Sequence, residues 1–282
     1  MAPLTRLLGQ AMSRKTPPVK VAPPADESAA EAGAAEAKGV PLTEVAPMNW
    51  DYGDRPVLDC LVAYNRYGGY VVPRHSAHRV AARKILGGQV YEPGTIDLLR
   101  GECGEGDIVH AGTFFGDFLP ALSGAMAPSA RIYAFEPNPV NFRCASLTLS
   151  LNGIENVSLA CAGLGAEAGH AAMLVTRKDG SARGGSSRVL KEGDPADVGN
   201  TIQIPITTVD DSVPLDRRVS ILQLDLEGYE QHALDGAMAT IRRCRPVTIV
   251  ETLDPGWIAD NLAPIGYRRA GRVHYNTVLR VT

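Results

Sequence analysis

Two carboxylates follow a short apolar run in the second half of the chain. The run VSIL at residues 219–222 predicts a buried strand, and the segment LDLEGYE at residues 224–230 comes just after it. Ligands bind beyond the carboxyl ends of the strands in an open parallel α/β sheet, so Asp225 and Glu227 are placed for chemistry rather than for packing. A glycine would then let the chain turn into a helix that starts near Glu230. A solvated turn in which Asp225 caps that helix is the alternative.

Two glycines follow another predicted strand. Residues 107–122, DIVHAGTFFGDFLPAL, indicate a short strand, a turn with Gly112 and Gly116, and a helix. Glycines at this spacing let the backbone approach a ligand closely. A further strand at residues 131–135 ends in Glu136, where a carboxylate can accept two hydrogen bonds from the neighbouring hydroxyls of a ribose. Together the turn and the acid predict a nucleotide site.

Five segments of the chain carry a family resemblance. They are residues 107–117, 133–138, 206–211, 222–230 and 246–251. In order and spacing they resemble the FkbM-type methyltransferases, over roughly residues 90–252. The resemblance implies an α/β fold of the class I methyltransferase type, Rossmann-like, with a mostly parallel seven-stranded sheet, helices on both faces and a C-terminal antiparallel hairpin. It also implies S-adenosyl-L-methionine as cofactor and, by family habit, O-methylation of a hydroxyl on a sugar, a glycan or a secondary metabolite.

The chain departs from the pattern of that family at three positions. His110 stands where the family usually has aspartate, Phe114 where it often has asparagine, and Gln223 where lysine is common. A neutral imidazole can form hydrogen bonds, but it cannot supply the fixed negative charge that would pair with the ammonium group of the cofactor. We therefore expect the amino-acid end of the cofactor to be held differently, or by Asp117 or Glu92.

The catalytic candidates are acids. Methyl transfer to oxygen needs a group that takes the proton of the acceptor, and Asp225 is the first choice. Glu227 and Glu251 are its expected neighbours, which would raise its pKa by like-charge repulsion or bind a substrate diol. The cofactor-binding candidates are His110, Gly112, Thr113, Phe114, Gly116, Asp117, Glu136, Asn138 and Asp225. Hard oxygen ligands suit Mg²⁺, but the sequence shows no cage of ligands, so a divalent metal is left open and no metal ligand is assigned.

The segment before the glycine turn is interpreted as a cap. Residues 60–64 and 70–72 predict two strands, and Ser76 is placed to cap a helix over residues 77–86. Because such an addition commonly packs over the strand ends, it supplies the substrate candidates, which are Arg74, His75, His78 and Glu92. The alternative for the two histidines is an exposed position at the start of the helix.

Two later segments extend the sheet structure. Residues 171–175 and 201–206 predict an added antiparallel pair, and the glycine-rich loop 179–188 between them is either a mobile gate or a disordered loop. Residues 266–280 predict two strands that are joined near Gly271.

Length and composition suit one enzyme domain with a tail. The 282 residues are 45% apolar and carry a formal net charge of −3, which argues against nucleic acid as the partner. We divide the chain into a disordered Pro/Ala/Glu-rich tail at residues 1–47, a cap at residues 48–100 and a methyltransferase domain at residues 101–282.

No apolar run reaches the ~20 residues of a membrane span. The five cysteines lack metal-site spacing and predict reduced thiols of a cytoplasmic protein.

Two other functions stay open at the level of sequence. A nicotinamide-dependent oxidoreductase would have a similar fold, but the turn here lacks the closely spaced first pair of glycines. A catalytically inactive nucleotide-binding module of the same fold is suggested by His110, Phe114 and Gln223. The sequence indicates a small-molecule or glycan hydroxyl as acceptor without identifying it, and it does not indicate an oligomeric state.

Overall fold

The computed structural model describes residues 58–191, 194 and 200–282. The predicted tail at residues 1–47 and the first part of the predicted cap, residues 48–57, lie outside the described residues. The strands are β1 (Cys60–Asn65), β2 (Gly68–Pro73), β3 (Asp107–Ala111), β4 (Ile132–Phe135), β5 (Val157–Ala160), β6 (Gly163–Leu164), β7 (Gly169–Leu174), β8 (Arg188–Val189), β9 (Thr201–Thr207), β10 (Val219–Leu224), β11 (Val247–Val250), β12 (Tyr267–Val273) and β13 (Asn276–Val281).

The helices among these residues are mostly short. They are α1 (Val80–Leu86), α2 (Pro93–Glu102), α3 (Leu119–Ser123), α4 (Pro139–Leu151), α5 (Val209–Ser212), α6 (Glu230–Asp235), α7 (Met238–Cys244) and α8 (Pro255–Trp257). Single 3-10 turns cover Arg74–Ser76, Gly184–Ser186 and Ala263–Ile265, and a π-helical turn covers Ile258–Leu262. None of the helices in this part of the chain is both long and apolar enough to cross a membrane.

A seven-stranded sheet in the order β12-β13-β11-β10-β3-β4-β5 forms the centre of the fold. Strands β11, β10, β3, β4 and β5 run parallel, whereas β13 is antiparallel to both β11 and β12. This is the α/β class I methyltransferase fold that the resemblance implies, with the hairpin at the expected edge. Since β4 and β5 continue on one side of β3 and the later strands on the other, β3 and β10 flank the topological switch point at which ligands bind in such sheets.

Apolar cores lie on both faces of the sheet, because successive side chains of a strand point to opposite faces. Ala111 of β3 belongs to one core together with Leu234 of α6. Ile108 of the same strand belongs to the other core, which also contains Leu99 of α2 and Leu122 of α3. The buried β3 therefore holds its carboxyl end, where the glycine turn begins, in a fixed place.

The predicted hairpin near the start of the described residues is confirmed. Strands β1 and β2 pair antiparallel in a sheet of their own, and this sheet is fastened to α4. The amide of Val71 donates a hydrogen bond to Thr148 Oγ1 at 2.9 Å, and the amide of Gly69 donates one to Asn152 Oδ1 at 2.9 Å. The hairpin is thus supported by the helix that follows β4.

The added antiparallel pair is also confirmed. Strand β7 pairs with β9 from Gly169 to Leu174, and both belong to a four-stranded sheet in the order β6-β9-β7-β8. The predicted loop at residues 179–188 contains the 3-10 turn Gly184–Ser186 and leads into β8. This second sheet brings that turn close to the carboxyl ends of β3, β4 and β10.

Two predicted details are wrong. Helix α1 begins at Val80 and not after Ser76, whose side chain is buried in the preceding 3-10 turn and makes no capping hydrogen bond. The C-terminal hairpin turns at residues 274–275 and not near Gly271. Gly271 lies inside β12 beside a shift in register, and a glycine within a strand often marks such a bulge rather than the end of the strand.

Candidate active site

The glycine turn and the acidic segment meet at the switch point. Gly112 follows β3 with φ of +84°, and a Cβ at this position would overlap the backbone carbonyl oxygen of Asp225. The amide of Asp225 in turn donates a hydrogen bond to the carbonyl of Ala111 at 3.1 Å. Only glycine allows this close approach, which brings the first acid beyond β10 directly against the turn beyond β3.

Glu136, the acid after β4, is held over the same turn. Its Oε2 accepts a hydrogen bond from the amide of Phe114 at 2.7 Å, and its Oε1 accepts one from the amide of Asn138 at 2.9 Å. Phe114 has φ of +52°, a conformation that is costly for a bulky residue and is common at functional sites. Burial raises the pKa of Glu136 to about 7, although these hydrogen bonds oppose the shift.

One narrow cavity joins the three strand ends. It has a volume of about 40 Å³, and its lining includes Gly112, Phe114, Glu136 and Asp225. The rest of the lining comes from residues that the sequence did not assign to the site, namely Pro137, Met173, Gly184, Gly185, Ser187, Val189 and Leu226. Sequence reasoning gave the loop 179–188 as a gate or a disordered loop but did not place it at this cavity, because only long-range packing through the second sheet brings it here. The sequence feature that could have indicated its place in the site is the pair Gly184 and Gly185.

The segment 184–187 is tied to the start of α4. Asn138 caps α4 by accepting a hydrogen bond from the amide of Val140, and its Nδ2 donates to Ser187 Oγ at 3.3 Å. Asn141 Nδ2 donates to the carbonyl of Gly184 at 3.5 Å. These contacts close the mouth of the cavity over Glu136.

The other predicted cofactor residues continue along the turn. Thr113 is fully buried, and Gly116 packs the turn against α4. Asp117 is also buried, and burial raises its pKa to about 8, with the charge of Glu92 as the next cause. Glu92 has φ of +42° and accepts hydrogen bonds through Oε2 from Thr95 Oγ1 at 2.8 Å and Asn276 Nδ2 at 3.2 Å. Two acids therefore lie near each other beside the turn.

His110 lies inside β3 and does not line the cavity. Its Nδ1 is hydrogen-bonded to Oε1 of Gln223, and its ring stacks on Phe118 with 5.6 Å between centroids. Burial lowers the pKa of His110 to about 4, so the imidazole is neutral at pH 7. This histidine consequently carries no charge toward a ligand.

The acids beyond β10 and β11 form a cluster. Carboxylate oxygens of Asp225, Glu230 and Glu251 all lie within 4.8 Å of one another. Asp225 does not cap α6, since Tyr229 occupies the N-cap position. Glu230, which the sequence did not assign to the site, instead accepts hydrogen bonds through Oε1 from the amides of Leu226 at 2.9 Å and Gly228 at 3.3 Å.

The charges of the cluster act on one another. Burial raises the pKa of Asp225 well above its usual range, and the charges of Glu251 and Glu227 raise it further. Burial is also the main cause that raises the pKa of Glu227, followed by the charge of Glu251, whereas Arg79 opposes the shift. Glu227 has φ of +53°, so it has a strained backbone like Phe114 and Glu92.

The predicted substrate residues of the cap are dispersed. His75 and His78 are exposed, as the alternative interpretation expected, and Arg74 forms an ion pair with Asp59 at 2.6 Å. Arg79, one residue beyond His78, is the basic group of the cap that lies near Glu227. Sequence reasoning missed Arg79 because Glu227 is distant from it in the chain and no local pattern signals that the two lie close together.

Comparison with known proteins identifies a family to which the chain is similar. The family model described as "Methyltransferase FkbM domain" matches residues 103–260. Among solved structures, the FkbM methyltransferase from Methylobacillus flagellatus KT is 18% identical, with a TM-score of 0.41; the match covers 62% of this chain and 43% of that chain. The chain thus spans less than half the length of that relative. No curated protein matches the chain.

Two further solved structures resemble this chain to a comparable degree. TYW2 from M. jannaschii in complex with AdoMet is 11% identical with a TM-score of 0.45, and the match covers 80% of this chain and 86% of that chain. A putative O-methyltransferase from Klebsiella pneumoniae is 14% identical with a TM-score of 0.41, covering 73% of this chain and 83% of that chain. Because the family model matches more than half of the sequence, the chain belongs to the FkbM methyltransferase family.

Proposed function

We propose that this methyltransferase uses S-adenosyl-L-methionine to methylate a hydroxyl of a sugar, a glycan or a secondary metabolite. The observation that carries the proposal is the convergence of Gly112, Glu136 and Asp225 on one cavity at the switch point of the sheet. A nucleotide site and a proton-accepting acid are thereby adjacent, which is the arrangement that methyl transfer to oxygen requires.

The two ends of the cofactor would contact different acids. Glu136 is placed to accept hydrogen bonds from the ribose hydroxyls, beside the exposed backbone of the glycine turn. Asp117 and Glu92 would supply the negative charge that pairs with the ammonium group. The neutral His110, bonded to Gln223, takes no part in that pairing.

The chemistry needs little beyond positioning and a base. The acceptor oxygen must lie in line with the sulfonium methyl at about 3 Å. When bound, the cofactor would supply an electrophilic methyl group: the new C–O bond would form from an oxygen lone pair as the C–S bond breaks with its electrons going to sulfur, and Asp225 would take the hydroxyl proton. The raised pKa of Asp225 makes it a better proton acceptor once it is ionised.

Entry of the cofactor requires movement of the segment 184–187. Pockets that hold molecules of this size measure about 300–1,000 Å³, whereas the cavity here measures about 40 Å³. The segment is held beside Glu136 by hydrogen bonds from Asn138 and Asn141, and its first two residues are glycines. The loop therefore acts as a gate in this proposal.

Isothermal titration of the purified chain tests the cofactor. S-adenosylmethionine and S-adenosylhomocysteine are expected to bind in the micromolar range and NAD is not. Glu136→Ala should weaken binding at least tenfold, about 1.4 kcal/mol, while Glu105→Ala, at an exposed acid just before β3, should not. Thermal unfolding of both variants separates loss of the site from loss of the fold. Unchanged affinity in Glu136→Ala, or preferential binding of NAD, would refute this assignment.

Turnover tests the reaction. Hydroxylated sugars and secondary metabolites are incubated with the protein and the cofactor, and the products are screened by mass spectrometry for a gain of one methyl group. Asp225→Asn should abolish the gain and leave cofactor affinity within a few-fold of the original. Cofactor binding without turnover on any acceptor would favour the inactive binding module, and a methyl group found on nitrogen or carbon would contradict the O-specificity.

A further inference from the structure

We propose that Asp225, Glu230 and Glu251 together form a binding site for one divalent cation that prefers oxygen ligands. Each residue contributes a carboxylate oxygen, and these oxygens lie within 4.8 Å of one another. The three residues come from the ends of two neighbouring parallel strands and from the first turn of α6. The cluster is therefore built by the sheet and not by a single flexible loop.

The spacing of the oxygens matches the size of such ions. Ca²⁺ binds oxygen at about 2.3–2.6 Å and Mg²⁺ at about 2.0–2.1 Å. Two ligands on opposite sides of one ion are thus separated by about 4.0–5.2 Å, and adjacent ligands by less. Oxygens that all lie within 4.8 Å can surround one ion with small adjustments of the side chains.

Glu230 gives independent support for a ligand at this place. Its side chain is 1% exposed, and Oε1 is already engaged by two backbone amides. Its Oε2 is buried and finds no hydrogen-bond partner among the described residues. A buried carboxylate oxygen is costly unless a charge or a hydrogen bond compensates it. A cation between Glu230 and its two neighbours supplies that compensation.

The described part of the chain offers the cluster no ion pair. The four ion pairs found there involve other acids, namely Asp59, Asp107, Glu102 and Asp194. The ammonium group of Lys191 lies close to Gly228, and the charge of Arg79 acts on Glu227, but neither forms an ion pair with the three acids. None of the three acids therefore forms an ion pair with a basic side chain among the described residues.

The role of the cation in methyl transfer rests on the proposed function. Three protein ligands leave coordination positions for water or for the acceptor hydroxyl. In that arrangement one carboxylate oxygen of Asp225 binds the cation, and its other oxygen takes the hydroxyl proton, as in the proposed function. The electrons of the O–H bond stay on the oxygen that receives the methyl group.

Binding of Mn²⁺ to the full chain tests the site without any need for activity. The protein is stripped with EDTA, and free Mn²⁺ is followed by electron paramagnetic resonance. One Mn²⁺ per chain is expected, displaced by Mg²⁺ or Ca²⁺. Glu251→Gln and Glu230→Gln should each weaken Mn²⁺ binding at least tenfold, while Glu105→Gln should leave it unchanged. Absence of binding, or equal affinity in all variants, overturns the proposal.

Two features of the design keep the result clear. Glu251→Gln, at a half-buried position, decides the outcome if Glu230→Gln, at a fully buried position, does not fold. Titration with S-adenosylmethionine in EDTA separates the two proposals. Cofactor binding without Mn²⁺ binding overturns the cation site alone, and Mn²⁺ binding without cofactor binding supports the site while it contradicts the proposed function.

Discussion

His110 and Gln223 lie opposite each other on the neighbouring strands β3 and β10 and are joined by a hydrogen bond. These are two of the three positions at which the chain departs from the family pattern, where aspartate and lysine are usual. Since burial lowers the pKa of His110 to about 4, the bond joins two neutral groups. The two departures therefore meet in one uncharged pair, which lies between the strands that carry the site.

A double-mutant cycle should reveal this coupling. His110→Asp alone places a carboxylate in a buried position opposite an amide and should lower the free energy of unfolding by about 3 kcal/mol or more. Gln223→Lys alone should also destabilise. In the double variant the two charges can pair, so the loss should be smaller than the sum of the single losses by about 1–3 kcal/mol. Urea denaturation measures all four proteins, and additive losses would show that the two side chains do not interact.

Gly112→Ala should disrupt the site far more than a matched glycine substitution. The new Cβ would overlap the carbonyl oxygen of Asp225, and φ is +84°. Gly104→Ala is the control, because φ is +53° but no atom lies within 4 Å of the added Cβ. The control should lose about 1–2 kcal/mol from backbone strain alone. Gly112→Ala should lose more and should also weaken cofactor binding, as thermal unfolding and titration would show; equal losses would contradict the close approach.

The sequence predicted the parts of the site that depend on local pattern. Gly112, Glu136 and Asp225 each follow an apolar run, and parallel strands bring their carboxyl ends to one edge, so their meeting was predictable. Glu230 was not predicted as a site residue, and the loop that contains the segment 184–187 was given as a gate or a disordered loop without being placed at the cavity. The role of Glu230 depends on how the turn before α6 closes, and the segment reaches the cavity through the register of β7, β8 and β9. Neither is visible in local periodicity.

Loosening the segment 184–187 should speed entry of the cofactor. Ser187→Ala removes the hydrogen bonds of Ser187 Oγ with Asn138 and with the carbonyl of Gly184. Of these two bonds only the one with Asn138 ties the segment to α4, and its loss of about 0.5–1.5 kcal/mol should accelerate association of S-adenosylhomocysteine by about 2–10-fold. Ser181→Ala is the control, because its hydroxyl bonds only to Asp179 in the exposed part of the loop. Stopped-flow fluorescence measures both rates, and an unchanged rate in Ser187→Ala would argue against the gate.

Asp117 should make the stability of the chain depend on pH. Burial raises its folded-state pKa to about 8, against about 3.9 in an unfolded chain. A raised pKa means that folding favours the protonated carboxyl. The contribution of Asp117 to the free energy of unfolding is therefore fully present below about pH 4 and is lost as the pH rises toward 8. Asp117→Asn should therefore gain stability relative to the original chain as the pH rises from 6 to 8. Asp97→Asn, at an exposed aspartate of α2, should follow the original chain.

Binding of the cofactor should release a proton from the same group. At pH 7 the carboxyl of Asp117 is mostly protonated, and an ammonium group placed beside it would favour the ionised form. Titration calorimetry at pH 7 in two buffers with different ionisation enthalpies measures this release. The number of protons released should fall in Asp117→Asn and stay the same in Asp97→Asn. Equal release in both variants would mean that the ammonium end of the cofactor lies elsewhere, and it would leave the assignment of Glu136 to the ribose untouched.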